Sequence, residues 1–159
     1  MDAGNEKLLV AATSGHRLAG RRVRRMHLLA GERWIDFPST PGEQDSGQTL
    51  ARQLARAGLD DADVALIDSL TAQKRLAQAG FGLALVPESS VLDELRQGVL
   101  VALDIPAMQP TIPITAVHRR NGYLGAAAKA LLALLTTERT RSVPEWKTSA
   151  AQQLPTSGM

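Results

Sequence analysis

The chain has 159 residues, of which 44% are hydrophobic, 21% charged and 3% aromatic, with no cysteine and a formal net charge of +2. That is the make-up of an ordinary globular protein, long enough for one domain and part of another. Disulfides, thiol catalysis and thiolate metal sites are excluded, and so few aromatic rings argue against base-stacking platforms for nucleic acid.

The opening MDAGNEKLLVAATSG puts acidic residues first and has neither a signal-peptide nor a transit-peptide pattern. No run approaches the roughly 20 apolar residues that span a bilayer. A cytoplasmic protein without membrane contact is therefore expected. Leu8 to Thr13 reads as a first strand turned by Ser14-Gly15-His16, and Val23 to Leu29 as a short helix or extended connector. Arg33 to Phe37 is a second strand closed by Pro38, and Ser39 to Gly47 is a loop of turn residues. Gln48 to Ala57 predicts a helix with Leu50, Leu54 and Ala57 on one face, ended by Gly58. Asp60, Asp61 and Asp63 form a solvated turn before a third strand, Val64 to Ile67.

The stretch from Leu70 to Pro87, LTAQKRLAQAGFGLALVP, carries the most information. An amphipathic helix runs into Gly80, which can adopt the left-handed conformation that ends a helix. Leu83-Ala84-Leu85-Val86 lacks polar alternation, as a parallel strand buried on both faces would, and Pro87 cannot donate to a ladder and ends it. In open α/β sheets, ligands bind in the crevice outside such carboxyl ends. Ser89 or Ser90 can cap a short helix over Val91 to Gln97. Val99 to Leu103 and Ile112 to His118 are further strands on either side of a proline-bearing connector, and Leu124 to Leu135 is the last helix. From Thr136 the sequence loses periodicity and predicts a disordered tail over 136–159. Strands alternating with helices predict an α/β fold, a mostly parallel sheet flanked by helices.

Three pieces, in order, resemble the effector-binding domain of LysR-type transcriptional regulators: SGHRLAGRRVRRMHLLAGERWIDFP, AGFGLALVPES and ITAVHRRNGYLGAAAKALLALL. Arg17 stands where that family usually has proline. The resemblance runs from about Leu8 to Leu135 and implies a periplasmic-binding-protein-type-2-like fold. Residues 8–106 would be its second subdomain, and residues 107–135 the returning strand and helix of a partial first one. The family's helix-turn-helix and the opening strands of the first subdomain find no counterpart. By resemblance, DNA would be read only through a helix-turn-helix outside this chain, the partner here would be a small anionic effector, and a homo-oligomer is expected.

The same resemblance makes the loop with Pro38, Ser39 and Thr40, together with Ser69, Leu70 and Thr71 at a helix start, one wall of the effector cleft. Ser39 and Thr40 offer hydroxyls, and Ser69 is a good N-cap in its own right, so capping and anion binding can coexist there. Phe81 lies between two glycines and either packs on the effector or fills the core, the second being the simpler reading. The cluster Arg17, Arg21, Arg22, Arg24, Arg25 and Arg33 reads as a solvated face rather than a phosphate site. His16, His27 and His118 share no metal-ligand spacing, and no cofactor is expected. There is no G-x-S-x-G elbow, and GFGLAL precedes a strand whereas a nucleotide fingerprint precedes a helix, so no enzyme is expected. A solute-binding protein of the same fold and a non-functional regulator fragment are the alternatives. An incomplete sheet would leave strand edges and a helix stripe uncovered, which predicts self-association or poor stability of the chain alone.

Overall fold

In the computed structural model, residues 2–38, 49–118 and 122–137 are described. The predicted Ser39–Gly47 loop and all but the first two residues of the predicted tail lie outside them. The elements are β1 (Asp2–Thr13), β2 (Trp34–Asp36), α1 (Thr49–Arg56), β3 (Val64–Leu66), α2 (Leu70–Gln78), β4 (Leu83–Pro87), α3 (Leu92–Arg96), β5 (Leu100–Ala102), β6 (Thr111–Thr115) and α4 (Ala126–Thr137). Short 3-10 turns cover Met26–Leu29 and Glu88–Val91.

The sheet order is β3-β2-β4-β1-β5, and β6 also pairs with β1. β2 runs parallel to β3 and β4, whereas β1 runs antiparallel to β4 and to β5. Along this path β2, β3, β4 and β5 run one way, as expected of a mostly parallel sheet, and only β1 points the other way, which makes the sheet mixed. The reason is local. The link from β1 to β2 holds only a 3-10 turn, not a crossover helix, and nothing in it forces β1 to run with its neighbours.

Period-2 alternation divides two cores between the sheet faces. Leu8, Val10 and Ala12 of β1 and Leu83 and Leu85 of β4 join Trp34, Leu50 and Leu54 on one face. Leu9, Ala11, Ala84 and Val86 join Ile35, Ala77 and Leu100 on the other. Helix α1 thus covers one face, and α2 covers the second with help from α3. The continuous apolar run of β4 is buried on both faces, as its lack of alternation predicts.

Helix α2 starts and stops as its residues dictate. Ser69, extended at φ −129°, takes the N–H of Ala72 on its hydroxyl at 3.4 Å. At the far end Gly80 has φ +76°, its N–H donates to Ala77 O, and the N–H of Phe81 donates to Leu76 O, the two bonds of a Schellman cap. Ser89 and Ser90 do not cap α3. They lie in the preceding 3-10 turn, where the Ser90 hydroxyl donates to Pro87 O at 2.7 Å. Lys74 bridges α2 to that segment, donating to Ser90 O at 2.8 Å and to Glu94 at 2.6 Å, and its hydrogen bond holds the Glu94 carboxyl below the ordinary range.

Two compact units divide the chain: Glu6–Ile112, and Met1–Asn5 with residues 113–159. The first contains both cores. In the second, α4 is apolar around most of its circumference, yet Leu131 is 57% and Leu134 61% exposed.

Candidate functional site

The parallel strands β3, β2 and β4 give the sheet two distinct edges, and the predicted site residues divide between them. At the carboxyl edge, β2 ends at Asp36 and β3 at Leu66, and the N–H of Ile67 donates to Asp36 O at 2.8 Å, which holds the two strand exits side by side. Pro38 lies just past the end of β2 and is exposed. Ser69, Leu70 and Thr71 follow the end of β3, with Ser69 and Thr71 exposed and Leu70 half-buried. Ser39 and Thr40 lie outside the described residues.

Phe81 belongs to the other edge. It precedes β4 beside Arg33, which precedes β2, and the Leu83 N–H donates to Arg33 O at 2.8 Å. The Arg33 guanidinium stands 4.8 Å from the Phe81 ring centroid, and its Nε donates to Asp63 at 2.6 Å. Phe81 is 42% exposed, so it does not fill the core. It is a stacking platform for a paired arginine, and the length of β4 separates it from the helix start at Ser69. An open cleft of about 200 Å³ lined by Leu29, Gly31, Gly58, Leu59 and Ala62 also lies at the amino ends of β2 and β3.

The carboxyl edge has the chemistry of an anion-accepting helix start. The Ser69 hydroxyl satisfies Ala72 and the Ser69 carbonyl accepts the N–H of Gln73, while the N–H groups of Leu70 and Thr71 have no acceptor among the described residues. Two residues there escape a reading of motifs. Gln73 is fully buried, and its Nε2 donates to Ile67 O at 2.8 Å, tying α2 to the exit of β3, while its Oε1 finds no partner among the described residues. Its only sequence signal is a glutamine one turn after a capping serine, too common to single it out. Asp36 closes β2 as a half-buried carboxyl at the same edge.

Burial holds the Asp36 carboxyl above its ordinary range, against the opposing effect of the Phe37 N–H that it accepts at 2.9 Å. Its folded-state affinity for a proton therefore exceeds its unfolded-state affinity. The associated stability is present in acid, below the ordinary carboxylate range, and is lost as pH rises through the raised value. Asp36→Asn keeps an oxygen for the Phe37 N–H and removes the buried charge. The variant is expected to melt above the parent at pH 7 and to lose that advantage toward pH 4, as followed by thermal melts across that range.

The predicted arginine cluster resolves into paired and unpaired members. Arg17 pairs with Glu32 and donates to Leu28 O at 2.6 Å, Arg22 lies 3.8 Å from Asp104, and Arg33 holds Asp63. His16 accepts the Leu18 N–H on Nδ1, which leaves Nε2 to donate to Glu32 at 3.2 Å, the role of a turn residue. Among the described residues no helix is long and apolar enough to cross a membrane.

Comparison with known proteins places this architecture. The family profile "LysR substrate binding domain" matches residues 2–140. The HTH-type transcriptional regulator ArgP of Pseudomonas fluorescens strain Pf0-1 is 34% identical over 149 residues, covering 91% of this chain and 47% of that protein. The chain thus spans about half the length of the curated relatives that it matches. Among solved structures, the regulatory domain of Synechocystis PCC6803 CcmR in complex with 2-PG aligns with a TM-score of 0.67 at 20% identity, over 89% of this chain and 66% of that one. The effector-binding domain of QuiR in complex with shikimate aligns at 0.62 with 18% identity, over 88% and 64%. At such identities these two show the fold, that of LysR regulatory domains. With the profile covering most of its length, the chain belongs to the LysR substrate-binding domain family, the effector-sensing portion of LysR-type transcriptional regulators.

Proposed function

We propose that this chain senses a small carboxylate at the carboxyl edge of its sheet, where Pro38, Ser39, Thr40, Ser69, Leu70 and Thr71 form one wall of the effector site. The observation that carries this reading is the start of α2, a serine-capped helix with two unengaged N–H groups beside the exit of β2. Asp36 and Asp68 contribute carboxyls to the same edge, which favours an effector that carries a hydrogen-bond donor as well as an anionic group. Phe81 is left out of the set because it stands at the opposite edge.

In this reading the Glu6–Ile112 unit corresponds to the second effector subdomain, and the strand and helix after it to the returning part of the first. The effector acts in the cytoplasm by shifting the populations of two arrangements, not by chemistry. DNA is read through a helix-turn-helix outside these residues. A thermal-shift series with small hydroxy-carboxylates tests the site. Saturation at about 100 times Kd adds about 2.7 kcal/mol, or a rise of about 5–10 °C for a chain of this size. Ser69→Ala and Thr71→Ala are expected to shrink the ligand-induced shift, whatever they do to the melting point of the free protein. No stabilisation, or one unaltered by either substitution, overturns the reading.

The exposed apolar face of α4 supports a homo-oligomer. Sedimentation of the 159-residue chain is expected to show species larger than a monomer, shifted toward the monomer by Leu131→Lys with Leu134→Lys. A monomeric parent contradicts this.

A further inference from the structure

The charge of this protein is concentrated in one short segment. Ser14 to Gly31 holds five arginines, no lysine and no acidic residue, so it carries +5 against a whole-chain net of +2, and the rest of the chain is net −3. Two of these arginines serve the fold: Arg17 with Glu32, and Arg22 with Asp104. The other three, Arg21, Arg24 and Arg25, are exposed and make no side-chain hydrogen bond or ion pair among the described residues.

Their backbone is held in place. Val23, buried at 1% exposure, anchors the middle of the run, its N–H donates to Asp104 O at 2.8 Å, and Arg22 forms a parallel bridge with Asp104. The flanking Met26–Leu29 turn is anchored in turn by the buried Leu29. Three like charges within five residues are therefore displayed on a segment clamped at Arg22 and Val23, with no ion partner among the described residues, an arrangement that repels itself until an anion arrives.

We propose that Arg21, Arg24 and Arg25 form a contact surface for the phosphate backbone of nucleic acid. Fully extended chain from Arg21 to Arg25 would span about 13 Å, and duplex DNA carries one charge per roughly 1.7 Å of its axis, so several phosphates lie within reach of the three guanidiniums. Arginine suits this role because its planar fork binds phosphate oxygens in pairs. The segment carries no aromatic residue, and its neighbours expose only one large apolar side chain, Leu28. It therefore lacks the anchors that a protein interface or a membrane surface would need. With nothing to enter a groove and read base edges, the contact is independent of sequence and positions the domain on DNA rather than choosing a site.

The test is fluorescence anisotropy of a mixed-sequence 30-base-pair duplex titrated with the full 159-residue chain at several salt concentrations. Three phosphate contacts predict a slope of log K against log salt of about −2.7, a loss of about 40-fold between 50 and 200 mM. The triple variant Arg21→Gln, Arg24→Gln, Arg25→Gln is expected to melt like the parent, since these side chains hold nothing in the fold, and to lose that binding. A charge-matched control, Arg52→Gln, Arg56→Gln, Arg96→Gln, is expected to keep it. The proposal is overturned if the parent does not bind at 50 mM salt or if the control loses as much as the triple variant. It is equally overturned if polyglutamate binds the segment and the duplex does not, which would make it a docking site for an acidic protein.

Discussion

Trp34→Ala is expected to destabilise the Glu6–Ile112 unit by about 3–5 kcal/mol, a large part of the roughly 5–15 kcal/mol that a whole domain holds in reserve. Trp34 is fully buried in β2, which is hydrogen-bonded on both sides, to β3 and β4. Its ring shares a core with Leu29, Leu50 and Leu83, contributed by three different segments. Truncation leaves a cavity that Leu83 cannot close without disturbing its pairing with β2. Trp34 Nε1 has no acceptor among the described residues, so Trp34→Phe removes an unpaired donor along with some volume and is expected to cost only about 1 kcal/mol. Urea unfolding of the two variants separates these costs, and a similar loss for both would contradict the packing account.

Gly82→Ala is the second large effect, and its cause is contact rather than conformation. A Cβ at Gly82 would lie 2.7 Å from the carbonyl oxygen of Arg33 and 3.1 Å from its carbon. That same oxygen accepts the Leu83 N–H that opens the β2–β4 ladder. Backbone cannot yield there as a side chain would, so the expected cost is about 3 kcal/mol, at the upper end of overpacking, with weakened amide protection at Leu83 by hydrogen exchange. Gly80→Ala makes the comparison. Gly80 has φ +76° but open space around it, with its nearest contact a Thr13 methyl at 3.7 Å, so it is expected to lose only about 1–2 kcal/mol. An order reversed between these two glycines would show that the close approach is absent.

Periodicity and punctuation made the elements of this fold legible before their arrangement. The α2–Gly80–β4 unit follows from a capping serine, a left-handed glycine and an apolar run stopped by proline, and each of these acts within a few residues. The direction of β1 was not legible, because strand pairing depends on contacts far apart in sequence and its link to β2 has no crossover helix to reveal it. The same limit divides the site. Ser69, Leu70 and Thr71 stand at a helix start beyond a strand exit, as their sequence predicts, because both features are local. Phe81 could not, because five residues of β4 carry the chain from one sheet edge to the other, and only the register with β2 shows Phe81 standing at the amino end beside Arg33. Gln73 and Asp36 were invisible for a related reason: burial, not residue type, gives them their character.

The claim at the centre of this account is that the carboxyl edge of the sheet, at the start of α2, receives the effector. Amide chemical-shift mapping addresses it most directly, with an isotope-labelled chain titrated with a small hydroxy-carboxylate that stabilises it. The account predicts saturable shifts led by the Leu70 and Thr71 amides and followed by Phe37 and Ala72, with Phe81 and Arg33 unmoved. Shifts concentrated at Phe81, Arg33 and the Leu29–Leu59 cleft would put the ligand at the opposite edge and contradict it.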